Sequence, residues 1–448
     1  MDSQTIVAPM TPMGVSAVAA LRVSGTRVRD VVRRLFGEKP AEKLKPREAF
    51  LGTARDPQSG KILDSLLYIY FAAPNSYTGE DVLELYPHGN PLIVRDLLQA
   101  IRGIEGVRLA EPGEYTRRAF LNGKMDLTQA ESVADVIHSA NRAELENAHR
   151  LLSGALSKKI ATLTAQVKDI SARLELDVDF AEEEADPDFA GWQEKFENIR
   201  DSIKSILASF RGKANLSRLP LAVLYGAPNA GKSSLVNALL GEDRVLVSNV
   251  PGTTRDFVEV RLFLDGGEIR LVDTAGIAEH ATDELDALSM KKSREILDEA
   301  DMKILVVDGR ESGKANSEIG NTPDFVVYSK SDLETGTPKS ECQIPNSLRI
   351  SSKTGEGLAE LRRTMNATLF KKSDNQEDLW ITSEREKDCL EDALSGVNRV
   401  LDLLQKNPAV ELLAFEMQLV RRALQSITGE ISSEDILQSI FEGFCIGK

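Results

Sequence analysis

Three cysteines in 448 residues, Cys342, Cys389 and Cys445, are too few and too widely spaced for a disulfide framework or a paired-cysteine zinc site. That scarcity points to a reduced compartment. The opening residues, Met1 to Thr5, lack the basic stretch of an export signal, and the longest nearby apolar run, Leu66 to Ala73, is too short to span a bilayer. A soluble, cytoplasmic protein without a membrane partner is expected. Basic residues are also outnumbered: 55 Lys and Arg against 70 Asp and Glu leave a formal charge of -15. This excludes a generally basic coat for nucleic acid, which needs cations facing the phosphates, so any RNA contact must use a local patch. The four histidines, His88, His138, His149 and His280, show no metal-ligand spacing.

What is present fits a globular protein, with 42% apolar and 28% charged residues. The length exceeds one ordinary core, so two or three domains are expected. Residues 1–123 alternate β-forming runs (Val15 to Val23, Ile62 to Phe71, Val82 to Leu85) with helical pieces near Arg27 to Phe36 and Leu92 to Ile101, which reads as an N-terminal α+β domain. Residues 124–215 read as helical. Thr128 and Glu131 have capping-box spacing and predict the start of a long helix, and Leu156, Ile160, Leu163, Val167, Ile170 and Leu174 form one apolar stripe. The acidic run Asp177 to Asp188 reads as a solvated turn. Residues 216–370 show buried-strand runs followed by helices (Leu221 to Tyr225, Ile269 to Val272, Ile304 to Val307, Phe325 to Tyr328, Leu348 to Ile350), a doubly wound, mostly parallel α/β domain. Residues 371–448 turn helical again, in Glu384 to Leu404, Val410 to Ile427 and Glu434 to Phe441, and are expected to pack on the earlier helices. The fold class is thus multidomain α/β and α, with the α/β domain inserted between two segments of a helical one.

Gly226-Ala227-Pro228-Asn229-Ala230-Gly231-Lys232-Ser233 fits G-x-x-x-x-G-K-[ST] between an apolar strand and a helix that continues through Ser234. Its glycines let backbone amides turn toward a β-phosphate, Lys232 neutralises charge between β- and γ-phosphates, and Ser233 offers a hydroxyl to Mg²⁺. Asp273-Thr274-Ala275-Gly276 ends another apolar strand, so Asp273 is placed to hold the metal through water and Gly276 to sense the γ-phosphate. In Gly252-Thr253-Thr254, after Ser248-Asn249-Val250-Pro251, a threonine hydroxyl, Thr254, completes the Mg²⁺ shell. Ser329-Lys330-Ser331-Asp332 selects the base: a carboxylate accepts from guanine N1 and N2 while a lysine stem covers the ring. Ser351-Ser352-Lys353 offers a backbone amide to guanine O6. GTP with Mg²⁺ is favoured over ATP. Ser329 stands where such proteins usually carry asparagine.

Those elements in that order, with Pro251-Gly252-Thr253-Thr254-Arg255-Asp256, the stretch Arg118-Ala119-Phe120-Leu121-Asn122-Gly123-Lys124-Met125-Asp126-Leu127 and the tail Phe444-Cys445-Ile446-Gly447-Lys448, resemble the MnmE (TrmE) family of tRNA uridine modification GTPases over essentially the whole length. The resemblance implies a Ras-like G domain, a homodimer, and a heterotetramer with the flavoprotein MnmG. Together these place a carboxymethylaminomethyl or aminomethyl group on C5 of the wobble uridine of certain tRNAs. It implies K⁺ held by Asn229, Ser248, Val250 and Thr253 where two G domains meet. It implies a folate, 5,10-methylene-tetrahydrofolate or a formyl-folate analogue, held by Arg22, Glu84, Lys124 and Lys448. The family's water-positioning glutamate falls near Asp283-Glu284-Leu285-Asp286, which leaves Asp286 or Glu284 as candidates beside Lys232. Ala278 stands where the family commonly has arginine. Cys445 reads as structural or site-shaping. Two other readings remain open: a ribosome-assembly or regulatory GTPase switch without modification chemistry, and a scaffold that has lost turnover.

Overall fold

The computed structural model describes residues 4–179, 189–212, 218–241, 258–273, 295–310, 322–333, 346–370, 379–406 and 410–447. They form two compact units, one of Met1–His138, Ala148–Phe210 and Leu379–Lys448, the other of Ser139–Asn147 and Arg211–Asp378.

In the first unit, strands β1 (Thr5–Pro9), β2 (Leu21–Ser24), β3 (Ala49–Arg55), β4 (Ile62–Phe71), β5 (Val82–Tyr86) and β6 (Val107–Leu109) form a sheet ordered β3-β4-β5-β2-β1-β6. All its pairings are antiparallel except β1 with β6. The alternation along β4 sends Leu66, Tyr68 and Tyr70 into a core shared with the helices Val28–Phe36 and Pro91–Arg102. Asn90 caps the second of these by accepting from the Leu92 amide at 2.9 Å, with Pro91 in the first turn. The strand expected from Val15 begins only at Leu21. Val15 is 93% exposed, because the preceding Pro12 and Gly14 lead into an open loop tied down by the Ser16 amide donating to Gly89 O.

The helices Ala155–Asp179, Phe189–Ala208, Glu384–Leu404 and Val410–Thr428 share one core, in which every residue of the Leu156-to-Leu174 stripe is buried. The C-terminal helices thus return to the earlier ones. Gly396 permits the close approach, since a Cβ there would lie 2.7 Å from Val420 Cγ2. The predicted single long helix is instead three, Leu127–His138, Arg142–Leu152 and Ala155–Asp179. Its capping box is also displaced: Asp126 Oδ1 accepts from the Gln129 amide and Gln129 Oε1 from the Asp126 amide, both at 3.0 Å, so Thr128 lies inside the helix. Glu131, freed from capping, pairs with Arg385 at 2.9 Å. The last helix extends through Asp179 into the acidic run, whose residues 180–188 lie outside the described residues.

The second unit is built on β7 (Leu221–Tyr225), β8 (Val258–Leu264), β9 (Gly267–Asp273), β10 (Met302–Asp308), β11 (Phe325–Ser329) and β12 (Ser347–Arg349), ordered β12-β11-β10-β7-β9-β8. Five strands are parallel, and β8 is an antiparallel edge that the sequence reading missed. The helices Lys232–Gly241 and Leu358–Leu369 pack on this sheet through Leu235, Leu239, Leu361 and Met365. The carboxyl ends of β7, β9, β10 and β11 carry Tyr225, Asp273, Asp308 and Ser329, and ligands of open α/β sheets bind outside such ends.

Candidate nucleotide-binding site

The loop after β7 turns sharply because three residues take positive φ: Gly226 (+143°), Asn229 (+62°) and Gly231 (+94°). Any side chain at Gly226 would collide with the sheet, since a Cβ would sit 2.2 Å from Val306 O. Lys232 opens the following helix and folds back, its Nζ donating to Gly226 O and Ala227 O at 2.9 Å each. Only 4% of it is exposed, and burial lowers its pKa from 10.5 while Asp273 pulls the other way. A buried ammonium facing neutral carbonyls is ready to exchange them for phosphate oxygens. Ser233 and Ser234 lie exposed in the first turn, with amides aimed along the positive end of the helix dipole. The Ser233 hydroxyl donates to Asp273 Oδ2 at 2.6 Å, which brings together two hard oxygen donors of the kind Mg²⁺ prefers.

A second loop faces the first. Ser329, at the end of β11, donates through Oγ to Ala230 O at 2.5 Å. Lys330, at φ +58°, donates through Nζ to Asn229 O at 2.7 Å and to Asp308 Oδ2 at 2.8 Å. Arg310 clamps Asp308 at 2.6 Å, and these cations hold its carboxyl far below the usual carboxylate range against the effect of burial. Asp332 sits in a short 3-10 turn, Ser331–Leu333, and its Oδ1 accepts from the buried Ser351 hydroxyl at 2.6 Å. The Ser351 amide donates to Glu356 O and the Lys353 amide to Ser351 Oγ, which leaves the Ser352 amide without a partner among the described residues.

In the first unit the β2–β5 ladder sets Arg22 opposite Glu84. Arg22 Nη2 donates to Glu84 Oε1 at 2.8 Å, and the Tyr86 hydroxyl donates to Glu84 Oε2 at 2.5 Å. Burial, then the Glu84 carboxylate, pushes the Tyr86 pKa up to about 12. The Arg22 guanidinium lies 5.0 Å from the Tyr77 ring centroid and 5.7 Å from that of Tyr115. Its Nη1 is buried without a hydrogen-bond partner, an orphaned donor that suits an anionic or carbonyl-bearing ligand. Lys124 Nζ donates to Pro74 O at 2.9 Å. The C-terminal tail reaches this region, because a Cβ on Gly447 would lie 2.2 Å from Pro9 O. Cys445 Sγ lies 3.9 Å from His138 Nε2.

Two family models match the chain: the N-terminus of the GTP-binding protein TrmE over residues 5–124, and the MnmE helical domain over residues 127–445. The chain is 37% identical to the tRNA modification GTPase MnmE of Syntrophus aciditrophicus over the full length of both. The MnmE of Carboxydothermus hydrogenoformans is 36% identical over the full length of both, and that of Dichelobacter nodosus is 38% identical over 100% of this chain and 99% of its own. The chain belongs to the MnmE family of tRNA modification GTPases. As in any GTPase of this family, GTP is the substrate.

Of the residues that the MnmE resemblance and the motifs single out, Asn229, Ala230, Gly231, Lys232, Ser233, Ser234, Asp273, Ser329, Lys330, Ser331, Asp332, Ser351, Ser352 and Lys353 lie on the loops just described. Ser248, Asn249, Val250, Pro251, Gly252, Thr253, Thr254, Thr274, Ala275, Gly276, Glu284, Asp286 and Lys448 lie outside the described residues. Two partners escaped the sequence reading. Asp308 ends an apolar strand just as Asp273 does, a usable signal, whereas nothing in the sequence marks the Ser351 hydroxyl as the partner of Asp332. Among the described residues no helix is long and apolar enough to cross a membrane.

Proposed function

We propose that GTP hydrolysis on the loop from Gly226 to Ser233 drives modification at C5 of the wobble uridine of tRNA, in concert with a flavoprotein of the MnmG type. The observation that carries the guanine part is the Asp332 carboxylate, held by Ser351 at 2.6 Å beside a Lys330 tied to the phosphate loop. Asp332 takes guanine N1–H and N2–H₂, the Lys330 stem covers the ring, and the Ser352 amide serves O6. Lys232 leaves the carbonyls of its own loop for the β- and γ-phosphate oxygens, and the amides of residues 229–234 line the phosphates. Ser233 and Thr254 would hold Mg²⁺ directly and Asp273 through water, and the ion would supply positive charge to offset that developing on the phosphates. Asp286 or Glu284 orients the attacking water.

Asn229, Ser248, Val250 and Thr253 hold K⁺ between two G domains of a homodimer. Arg22, Glu84, Lys124 and Lys448 hold the methylene- or formyl-folate, a reading supported by the orphaned Arg22 Nη1 and by the tail packed on Pro9. The functional domains divide as residues 1–123, 124–215, 216–370 and 371–448.

The deciding experiment is mass spectrometry of tRNA nucleosides from a deletion strain. The wobble modification is expected to disappear and to return with the wild-type gene, and unchanged wobble uridines would sink the proposal. For the cation, hydrolysis rises steeply with K⁺ and little with Na⁺; equal rates in both salts would remove the K⁺ site.

A further inference from the structure

Ser329 occupies the point where the base loop touches the phosphate loop. It is 3% exposed, and a Cβ on Gly231 would lie 3.4 Å from its Oγ. Its hydroxyl has one proton, and among the described residues the two protein atoms in hydrogen-bond reach are both carbonyl oxygens, Ala230 O at 2.5 Å and Val307 O at 3.2 Å. Carbonyls only accept, so while the hydroxyl holds either of them its single proton is closed to any other acceptor. Guanine N7 also only accepts. It lies on the imidazole side of the base, away from the N1–N2 edge that Asp332 takes in the proposed pocket. An amide side chain at position 329 has two N–H groups and can bond a loop carbonyl and N7 together. A serine can do only one.

The neighbouring cation is committed too. Lys330 Nζ is shared between Asn229 O at 2.7 Å and Asp308 Oδ2 at 2.8 Å, and Arg310 holds both oxygens of Asp308, Oδ2 at 2.6 Å and Oδ1 at 3.0 Å. Two of the three Lys330 Nζ protons are thus placed on the protein, and Lys330 and Ser329 act as two latches that hold the base loop against the phosphate loop.

We propose that Ser329 does not read guanine N7: it is a positioning residue that latches the two loops, and selectivity rests on the Asp332 edge of the base. The inference rests on the reading of this site as the guanine pocket. Its consequence is that guanine nucleotides altered at position 7 without added bulk are accepted as well as GTP.

The test is competition of GDP, 7-deaza-GDP and ADP against a fluorescent guanine nucleotide on the full-length protein with Mg²⁺ and K⁺. Were a protein donor bonded to N7, removing N7 would leave that donor unpaired and weaken binding by about fivefold or more. The expected GDP to 7-deaza-GDP ratio is under about threefold. A larger preference for GDP overturns the proposal, and ADP competing as well as GDP overturns the guanine reading beneath it, so the two failures are distinguishable. In Ser329→Ala both guanine nucleotides weaken by the same factor, about threefold to tenfold, with their ratio unchanged, whereas a merely structural defect would also lower the melting temperature of the nucleotide-free protein. Ser329→Asn introduces the missing donor and should create a preference for GDP over 7-deaza-GDP. Should that variant not fold, the wild-type ratio alone decides.

Discussion

Replacing Lys232 by methionine should remove nucleotide binding while leaving the fold intact. Without nucleotide the ammonium is almost fully buried and faces two neutral carbonyls at 2.9 Å. Burial already lowers its pKa, the mark of a charge that gains less from the protein than it lost from water. Methionine keeps most of the stem and discards the charge. The freed carbonyls border an exposed loop where water can serve them, so folding stability should change by no more than ~1 kcal/mol in either direction. With a phosphate about 4 Å from Nζ and an effective dielectric near ~20, the lost attraction is about 4 kcal/mol, or roughly a thousandfold in affinity.

The two effects separate in a thermal melt without nucleotide and a binding isotherm for GDP. There is also a sign to check. A lysine whose folded pKa lies below its unfolded 10.5 adds stability as pH rises from the lowered value toward 10.5. The wild type should therefore gain on the variant along that alkaline limb. An affinity loss under about tenfold, or a stability loss above about 3 kcal/mol, would refute the reasoning.

Asp332→Asn exchanges an acceptor for a donor at the base edge, so hydrolysis should shift from GTP toward xanthosine triphosphate, which carries O2 where guanine has its amino group; an unchanged preference in a turnover assay contradicts the assignment. Ser233→Ala removes the hydroxyl 2.6 Å from Asp273, and the Mg²⁺ concentration needed for half-maximal hydrolysis should rise by about tenfold, against no shift if another group holds the metal. Arg385→Met takes the cation from Glu131, leaving it the Ser383 hydroxyl at 3.2 Å, and uncaps Ser426 O and Ile427 O, which Arg385 meets at 2.8 and 3.0 Å; chemical denaturation should show a loss of about 3 kcal/mol, partly relieved by adding Glu131→Leu. A loss below about 1 kcal/mol would mean that the pair contributes little.

Much of the fold was legible because its signals are local. The stripe from Leu156 to Leu174 states a buried helix face through spacing alone, and the G-x-x-x-x-G-K-S loop states its own turn through glycines that only one kind of strand-to-helix junction needs. The errors arose where a local pattern met a competing partner. Thr128 and Glu131 have the right spacing for a cap, yet Asp126 and Gln129 cap the helix and Glu131 serves Arg385, 254 residues away. Val15 to Val18 have strand-forming side chains, but most of that segment lacks a neighbouring strand to complete a ladder. The edge strand Val258–Leu264 was invisible because antiparallel pairing is a property of two segments and not of one.

By itself the sequence determined the inventory: a G-x-x-x-x-G-K-S loop, an aspartate at the end of the strand before Thr274, the Ser329-Lys330-Ser331-Asp332 segment proposed to select the base, and the helical stripes that bring the chain's end back to its middle. Only the tertiary structure decided how those parts engage. It set Ser329 against Ala230 across 99 residues, gave Lys330 to Asp308, and left Arg22 Nη1 without a partner. The reason is physical. Backbone conformation and capping depend on neighbours a few residues away, whereas the commitment of a proton or a charge depends on which distant atoms the closed sheet brings within three ångströms.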